Sequence, residues 1–273
     1  MVQTDSANPD LRALESLLAF WSEAGVETCV EDEPIDRMVP IAPPKRPAPP
    51  TAVRQPLPAP EAAGPEIGEA LEQARGLAAA AGDLAALAEA IAAFEGCPLK
   101  FQGARQAVFS RGNPEAPVMA IGEGPGGEED QQGAPFVGRA GKLLDLMLDA
   151  AGLHDRVFIT NTVFWRPPGN RTPTFSEQSV CEPFVQRAIE LVRPKILLLV
   201  GGASAKFMLK KDEGILSLRG RWHEWRAPGS DLVLPALPTL HPAFLLRQPA
   251  AKKRAWSDLL TLAERLDRQG RPD

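Results

Sequence analysis

Three side chains in the sequence have functional groups suited to binding a flat polar ring. Asn161 carries a donor and an acceptor on one planar amide, the geometry needed to pair with the edge of a nucleobase. His241 precedes Pro242, and a neutral imidazole there could donate a hydrogen bond to a developing oxyanion. Phe136 lies in an otherwise polar loop and offers a flat face for stacking. Each has an ordinary alternative, because the amide could cap a loop, the histidine could be structural and the phenylalanine could fill the core.

Hydrophobic runs typical of strands place these residues in a common setting. The runs VMAI, VFIT, ILLLV and LVLPALPTL are followed by polar or glycine-rich segments: GEGPGGEED from Gly122, Asn161, Gly201-Gly202 and His241-Pro242. In an open parallel sheet the ligand crevice lies outside the carboxyl ends of the strands, so these segments should converge on one pocket. Glu123, in the first segment, adds a carboxylate to the predicted pocket.

The pattern between the strands indicates the fold. Helical patterns cover residues 139 to 151, 176 to 191, 203 to 210 and 252 to 266. Alternation of strands and helices implies right-handed crossovers and a parallel sheet covered on both faces. Two alanine-rich segments, residues 66 to 81 and 83 to 94, are predicted to form further helices. With 273 residues and 44% hydrophobic content, the chain can bury one sizeable core, so we predict one α/β domain.

Composition divides the chain into three segments. We predict an acidic segment over residues 1 to 37, a proline-rich linker over residues 38 to 65 and the α/β domain over residues 66 to 273. Apolar side chains near the start recur at helical spacing: Leu11, Leu14, Leu18 and Trp21. We expect an amphipathic helix near residues 9 to 24, which either binds an unidentified protein partner or stays a loosely ordered tail.

The net charge of −5 is unevenly distributed. Residues 1 to 37 contain nine acidic and two basic side chains, so the rest of the chain is mildly basic. A face bearing several basic residues could track a phosphate backbone: Arg139, Lys142, Arg166, Arg171 and Arg247. The alternative is a solvated surface of mixed charge.

The sequence also indicates a compartment. It contains no apolar stretch of membrane-spanning length, and its first residues lack the basic and apolar regions of a secretory signal. The three cysteines, Cys29, Cys97 and Cys181, are too few and too scattered for a disulfide framework. We therefore expect a cytoplasmic protein without a membrane partner.

The segment GEGPGG superficially matches a dinucleotide-binding fingerprint. Pro125 interrupts the match, and we expect a long acidic loop where the helix of such a site would begin. The segment also lacks the lysine of a phosphate-binding loop, which disfavours an enzyme acting on free nucleotides. Its glycines either let a ligand approach the backbone closely or form a purely structural turn.

Five strings occur in the order found in one enzyme family: GEGPGGEEDQQGAPFVGRAGKLLD, ITNTVFWRPPGNRTPT, LVGGASAKFML, LRGRWHEW and LHPAFLLR. Over roughly residues 94 to 266 the chain resembles the family 4 uracil-DNA glycosylases. The resemblance implies a three-layer α/β/α fold around a short central parallel sheet. It also implies a monomer of the bacterial cytosol that hydrolyses the N-glycosidic bond of uracil in DNA, leaving an abasic site for base excision repair.

The resemblance further implies roles for residues of the predicted pocket. Glu123 would hold and polarise the attacking water. His241, together with backbone amides after Gly124, would stabilise negative charge on the departing uracil. Asn161 would read the uracil edge, and Phe136 would stack on the extruded base.

Thymine exclusion and DNA contact complete the implied site. The chain contains no tyrosine, and by resemblance Glu129 fills the corner that the 5-methyl group of thymine would occupy. Five residues would contact or enter the DNA: Arg139, Arg171, Leu245, Leu246 and Arg247. The last three follow His241-Pro242 in a position suited to pushing into the duplex. The alternative for the leucines is a helix start packed on the core.

The cysteine pattern departs from that of the family. Its members commonly hold a 4Fe–4S cluster on four cysteines, but here only Cys97 and Cys181 match, while Phe94 and Trp165 occupy the other two positions. Phenylalanine and tryptophan cannot replace thiolate ligands. We therefore predict no cluster, no other metal and no other cofactor, with the aromatic rings filling the space.

Three hypotheses about function remain open. The first is a glycosylase that excises uracil, or one that acts mainly on other deaminated bases. The second is a DNA-binding relative with weakened catalysis, and the third is a nucleotide-binding enzyme. The presence of Glu123, Phe136, Asn161 and His241 favours the first.

Overall fold

One six-stranded sheet forms the centre of this computed structural model, which describes residues 65–269. The strands are β1 (Ser110–Gly112), β2 (Val118–Gly122), β3 (Val157–Asn161), β4 (Ile196–Val200), β5 (His223–Arg226) and β6 (Val233–Thr239). Their spatial order is β1-β3-β2-β4-β6-β5. The central strands β3, β2, β4 and β6 run parallel, whereas β1 and β5 pair antiparallel at the two edges.

The four parallel strands are those that the hydrophobic runs predicted. The two edge strands were not predicted, because SRG and HEWR are short and polar and contain no hydrophobic run. The sheet is therefore parallel at its centre, as expected, but has antiparallel edges. This arrangement is common in α/β folds.

Helices cover both faces of the sheet. Within the described residues they are α1 (Pro65–Ala80), α2 (Leu84–Ala93), α3 (Gly127–Gln132), α4 (Arg139–Ala150), α5 (Phe175–Val192), α6 (Gly202–Leu209), α7 (Ile215–Leu218), α8 (Pro242–Arg247) and α9 (Lys252–Gln269). Alternate residues of β2 face opposite layers. Met119 and Ile121 pack with α1, α2 and α5, whereas Val118 and Ala120 pack with α4 and α9. The predicted three-layer α/β/α fold is confirmed.

The segment after Pro125 differs from the prediction of a long acidic loop. A helix, α3, begins at once at Gly127 and ends before Gly133, whose φ is +75°. The Glu129 carboxylate accepts a hydrogen bond from the Gly126 N–H at 3.1 Å. Acidic residues in the first turn also lie at the positive end of the helix dipole, so the residues that suggested a loop stabilise a helix start.

The predicted acidic segment over residues 1 to 37, its amphipathic helix and residues 38 to 64 of the linker lie outside the described residues. Over residues 65–269, no helix combines the length and the apolar character that crossing a bilayer requires.

Candidate active site

A cavity of about 480 Å³, here called the central cavity, lies where β2 and β6 end. Seven of the predicted site residues line it: Glu123, Gly124, Glu129, Phe136, Arg171, His241 and Arg247. Segments that are far apart in the chain therefore meet at one edge of the sheet. Of the four segments predicted to converge, those after β2 and β6 line the cavity, whereas Asn161 and Gly201-Gly202 are not among its lining residues. Asn161 lies behind Gly122 beside Phe136, and Gly201 lies against His241.

Asn161 is the last residue of β3, and its side chain is buried. Among the residues that the structure describes, its Oδ1 is the only buried side-chain oxygen or nitrogen without a hydrogen-bond partner. An unpaired buried acceptor costs about 1–3 kcal/mol. Such an atom calls for an explanation, and a ligand that presents an N–H group to it supplies one.

Gly122 separates Asn161 from Phe136. From the sequence, this glycine was interpreted only as the start of a glycine-rich segment. A Cβ atom at this position would lie 2.4 Å from Asn161 Oδ1 and 2.6 Å from the Phe136 ring. Only glycine lets the amide and the ring approach the same point. The available signal was a glycine at the end of a fully buried strand, which often marks a close approach.

Phe136 is buried and lines the central cavity. Its ring faces His241, with ring centroids 5.6 Å apart and ring planes inclined by 32°. Its φ is +55°, in the left-handed region that residues with a side chain rarely adopt. Such a conformation persists only where the surrounding structure holds it, and it often occurs at binding sites.

His241 is the N-cap residue of α8, and its Nδ1 accepts a hydrogen bond from the Ala243 N–H at 3.1 Å. Burial and then the nearby Arg247 cation lower the pKa of His241 to about 4, against a raising effect of Glu129. The ring is therefore neutral near pH 7. Because Nδ1 is an acceptor, the single ring proton is on Nε2, which is a hydrogen-bond donor.

The backbone of Glu123 is anchored by a buried chain of hydrogen bonds. Its carbonyl oxygen accepts from Thr162 Oγ1 at 2.6 Å, and Thr162 Oγ1 accepts from Gln178 Nε2 at 2.9 Å. Thr162 and Gln178 are both buried. Neither residue was predicted, because a threonine after a strand and a glutamine in a helix carry no distinctive signal.

The Glu129 carboxylate lines the central cavity and is fixed by three backbone N–H groups. Oε2 accepts from Gly126 at 3.1 Å, while Oε1 accepts from Val137 at 3.0 Å and from Gly138 at 2.9 Å. Gly126 and Gly138 are the N-cap residues of α3 and α4. Glu129 therefore joins two helix starts and forms a rigid part of the cavity wall.

Comparison with known proteins identifies the family. The family model described as "Uracil DNA glycosylase superfamily" matches residues 109–260, more than half of the chain. The chain belongs to this superfamily. It is 40% identical over 168 residues to the type-4 uracil-DNA glycosylase of Saccharolobus solfataricus, covering 59% of this chain and 77% of that protein. It is 37% identical over 183 residues to the type-4 uracil-DNA glycosylase of Pyrobaculum aerophilum, covering 65% of this chain and 91% of that protein.

A third relative is the type-4 uracil-DNA glycosylase of Sulfurisphaera tokodaii. It is 39% identical over 164 residues, covering 58% of this chain and 74% of the relative. The resemblance to family 4 of the superfamily, inferred above from five strings, is confirmed by these similarities.

The basic residues predicted to contact DNA differ in how they are held in this glycosylase fold. Arg171 is exposed and pairs with both carboxylate oxygens of Glu177, at 2.8 and 2.6 Å. A neighbouring cavity of about 700 Å³ is lined by three exposed residues from the predicted DNA contacts: Arg139, Leu246 and Arg247. This second cavity shares Arg247 with the central cavity.

The structure corrects the prediction for Leu245. Its side chain is 0% exposed and packs in a small core with Leu240 and Ala255. The side chain of Leu246 is 38% exposed. Successive residues of a helix point about 100° apart, so α8 turns Leu245 inward, and of the two leucines only Leu246 is exposed.

What we call the cysteine region consists of the four positions at which the resemblance implies cluster ligands: Phe94, Cys97, Trp165 and Cys181. All four side chains are buried, and the rings of Phe94 and Trp165 have centroids 6.4 Å apart. Burial, followed by the neighbouring Cys97 thiol, holds the pKa of the Cys181 thiol well above its usual range. Two of the four positions carry no ligand atom, so these residues do not fit a four-thiolate cluster.

Proposed function

We propose that this protein excises uracil from DNA by hydrolysing the N-glycosidic bond, which leaves an abasic site for base excision repair. The observation that carries the proposal is the unpartnered Oδ1 of Asn161, beside the Phe136 ring and its neighbour His241. An amide that lacks a partner, next to an aromatic face, has the form of a binding site for a flat base. Membership of the superfamily supports the same reaction.

Asn161 would select uracil over cytosine. The N3–H group of uracil would donate to Oδ1, and its O4 would accept from Nδ2. Cytosine presents an acceptor at N3 and a donor at N4, so both pairs would fail and leave buried groups unpaired. Extrusion of the base costs a few kcal/mol of stacking and pairing, and contact with the Phe136 ring offsets part of that cost.

His241 would stabilise the departing uracil. Negative charge grows on the O2 atom of uracil as the bond breaks, and the Nε2–H of a neutral imidazole can donate to it. This hydrogen bond is stronger in the transition state than in the ground state, so it accelerates the reaction. No proton transfer from His241 is required, which agrees with a pKa of about 4.

Glu123 would orient the attacking water and offset the positive charge that develops on the sugar. Its side chain is half-buried and lines the central cavity. The hydrogen bond from Thr162 to its carbonyl oxygen fixes the loop that carries this carboxylate. The carboxylate is thereby held at one wall of the cavity before substrate binds.

Glu129 would exclude thymine. A chain with no tyrosine needs another group beside C5 of the base, and the Glu129 carboxylate is held in the cavity wall by three amides. A fixed wall rejects a methyl group better than a mobile side chain, because it cannot yield without loss of hydrogen bonds.

The exposed basic residues would bind the DNA backbone. Arg139, Arg171 and Arg247 line the two adjacent cavities, where each can contact a phosphate. Leu246 would take the space vacated by the extruded base. One chain supplies all of these groups, which supports action as a monomer.

We further propose that the protein works without a 4Fe–4S cluster. The packed rings of Phe94 and Trp165, which stand where two cysteines would be needed, support this proposal. Iron and sulfide analysis after anaerobic purification should give far less than one cluster per chain. Four iron atoms per chain, with the absorbance of a cluster, would contradict the proposal.

An alkali-cleavage assay tests the main proposal. The protein is incubated with a single-stranded oligonucleotide that contains one uracil, and strand scission is measured after alkali treatment. The unaltered protein should produce scission, and His241→Ala should lower the rate by about 10²-fold. His154→Ala is the matched control, because His154 is exposed and does not line the central cavity. DNA binding without scission would favour the DNA-binding relative instead.

A further inference from the structure

Arg111 lies on the edge strand β1, and its side chain reaches the loop that carries Phe136. Its Nε donates to the Pro135 carbonyl oxygen at 2.7 Å, and its Nη2 donates to the Phe136 carbonyl oxygen at 3.1 Å. The same Nη2 pairs with Asp145 of α4 at 2.6 Å. One planar guanidinium therefore joins two successive carbonyl groups of the loop to a helix.

The loop needs such support because of its backbone conformation. Phe136 has a φ of +55°, which is unfavourable for a residue with a side chain. On its other side, the Phe136 carbonyl oxygen touches α4 so closely that a Cβ at Gly141 would lie 1.6 Å from it. The carbonyl group is therefore held between Gly141 and Arg111.

Arg111 does not line the central cavity. It borders a separate cavity of about 540 Å³, together with Asp145 and residues of the loop before β3. Its guanidinium is directed at backbone atoms of residues 135 and 136, so any influence on a base in the central cavity passes through Phe136.

We propose that Arg111 is a positioning residue for base stacking, which holds the Phe136 ring at the orientation that contacts the extruded uracil. The inference rests on the proposed function. Stacking stabilises the bound base in the ground state and the transition state alike, so loss of Arg111 raises the half-saturating concentration and leaves the maximal rate almost unchanged.

A double-mutant cycle tests the proposal under single-turnover conditions with a uracil-containing single strand. Arg111→Gln should raise the half-saturating protein concentration about tenfold in the unaltered background. In the Phe136→Ala background the same substitution should change it by less than about twofold, because the ring through which Arg111 acts is absent. The maximal rate should stay within about twofold for Arg111→Gln.

Two further variants separate positioning from folding. Arg111→Lys keeps the charge but has one donor atom for the two carbonyl groups, so it should restore only part of the lost affinity. Arg156→Gln is the matched control, because Arg156 is a partly exposed arginine that pairs with Asp267 away from the loop. Urea unfolding of each variant reports whether it is folded.

The outcomes separate this inference from the proposed function. An equal effect of Arg111→Gln in both backgrounds, or a loss confined to the maximal rate, would overturn the role of Arg111 alone. A lack of scission by the unaltered protein would remove the proposed function, and the inference with it.

Discussion

The central cavity and the cysteine region are built by opposite rules, although Asn161, beside Phe136 of the cavity, and Trp165, in the cysteine region, belong to one short segment. At the central cavity, Phe136 has a strained backbone, and the buried amide oxygen of Asn161, close to the Phe136 ring, is unpaired. In the cysteine region, fully buried rings are in close contact, and Phe94 meets Phe184 edge to face at 5.2 Å. Unsatisfied groups persist where a ligand can satisfy them, whereas complete packing indicates a role in stability.

We expect substitutions in or directly beside the central cavity to reduce the excision rate and spare the fold. Asn161→Ala should lower the single-turnover excision rate by about 10³-fold, because both hydrogen bonds to the uracil edge are lost. The free energy of unfolding should fall by less than about 1 kcal/mol, since the missing oxygen had no partner. Rate measurements and urea unfolding on the same preparation check both values.

Asn113→Ala is a suitable control, because Asn113 bonds backbone atoms outside the central cavity. The excision rate of Asn113→Ala should equal that of the unaltered protein. A large loss of stability in Asn161→Ala with an unchanged excision rate would contradict the prediction, because Asn161 would then serve stability rather than catalysis.

Substitutions in the cysteine region should do the opposite. Trp165→Ala removes a large, fully buried ring and should lower the free energy of unfolding by about 3–5 kcal/mol. The excision rate of the folded fraction should stay within about twofold at low temperature. Trp256→Ala is the matched control, because that ring is 37% exposed. A rate loss larger than the unfolded fraction explains would show that the two regions are coupled.

A third test uses low pH, which should destabilise the protein through His241 of the central cavity. Its pKa of about 4 is below the 6.5 of an unfolded histidine, so the unfolded chain binds more protons between these values. Stability is therefore lost as pH falls from about 6.5 towards 4, by about 2 kcal/mol between pH 7 and pH 5. Urea unfolding should show this loss, and His241→Gln should reduce it.

His154 is the control for this measurement, because Asp149 raises the pKa of His154, so its effect on stability has the opposite sign. His154→Gln should not reduce the acid sensitivity. An unchanged pH dependence in His241→Gln would show that burial does not hold His241 neutral.

The sequence predicted the parts of the fold and site that depend on pattern. Long apolar runs identified the four parallel strands, and the motif residues Glu123 and His241 were found to line one cavity. The edge strands escaped prediction because pairing with a neighbour, rather than apolar content, forms them. The roles of Gly122 and Arg111 depend on three-dimensional contacts between distant segments, which no spacing in the sequence encodes.

Thr162 lies between the two regions and gives the finest test of their separation. It follows Asn161 directly, and it connects Glu123 to Gln178, on the same helix as Cys181. Thr162→Val keeps the volume but removes both hydrogen bonds, so the loop carrying Glu123 loses its anchor and the maximal excision rate should fall about tenfold. Thr162→Ser keeps the hydroxyl and should restore the rate to within about twofold. Equal losses in both variants would mean that the methyl group matters rather than the hydrogen bond, and packing would then govern catalysis as well as stability.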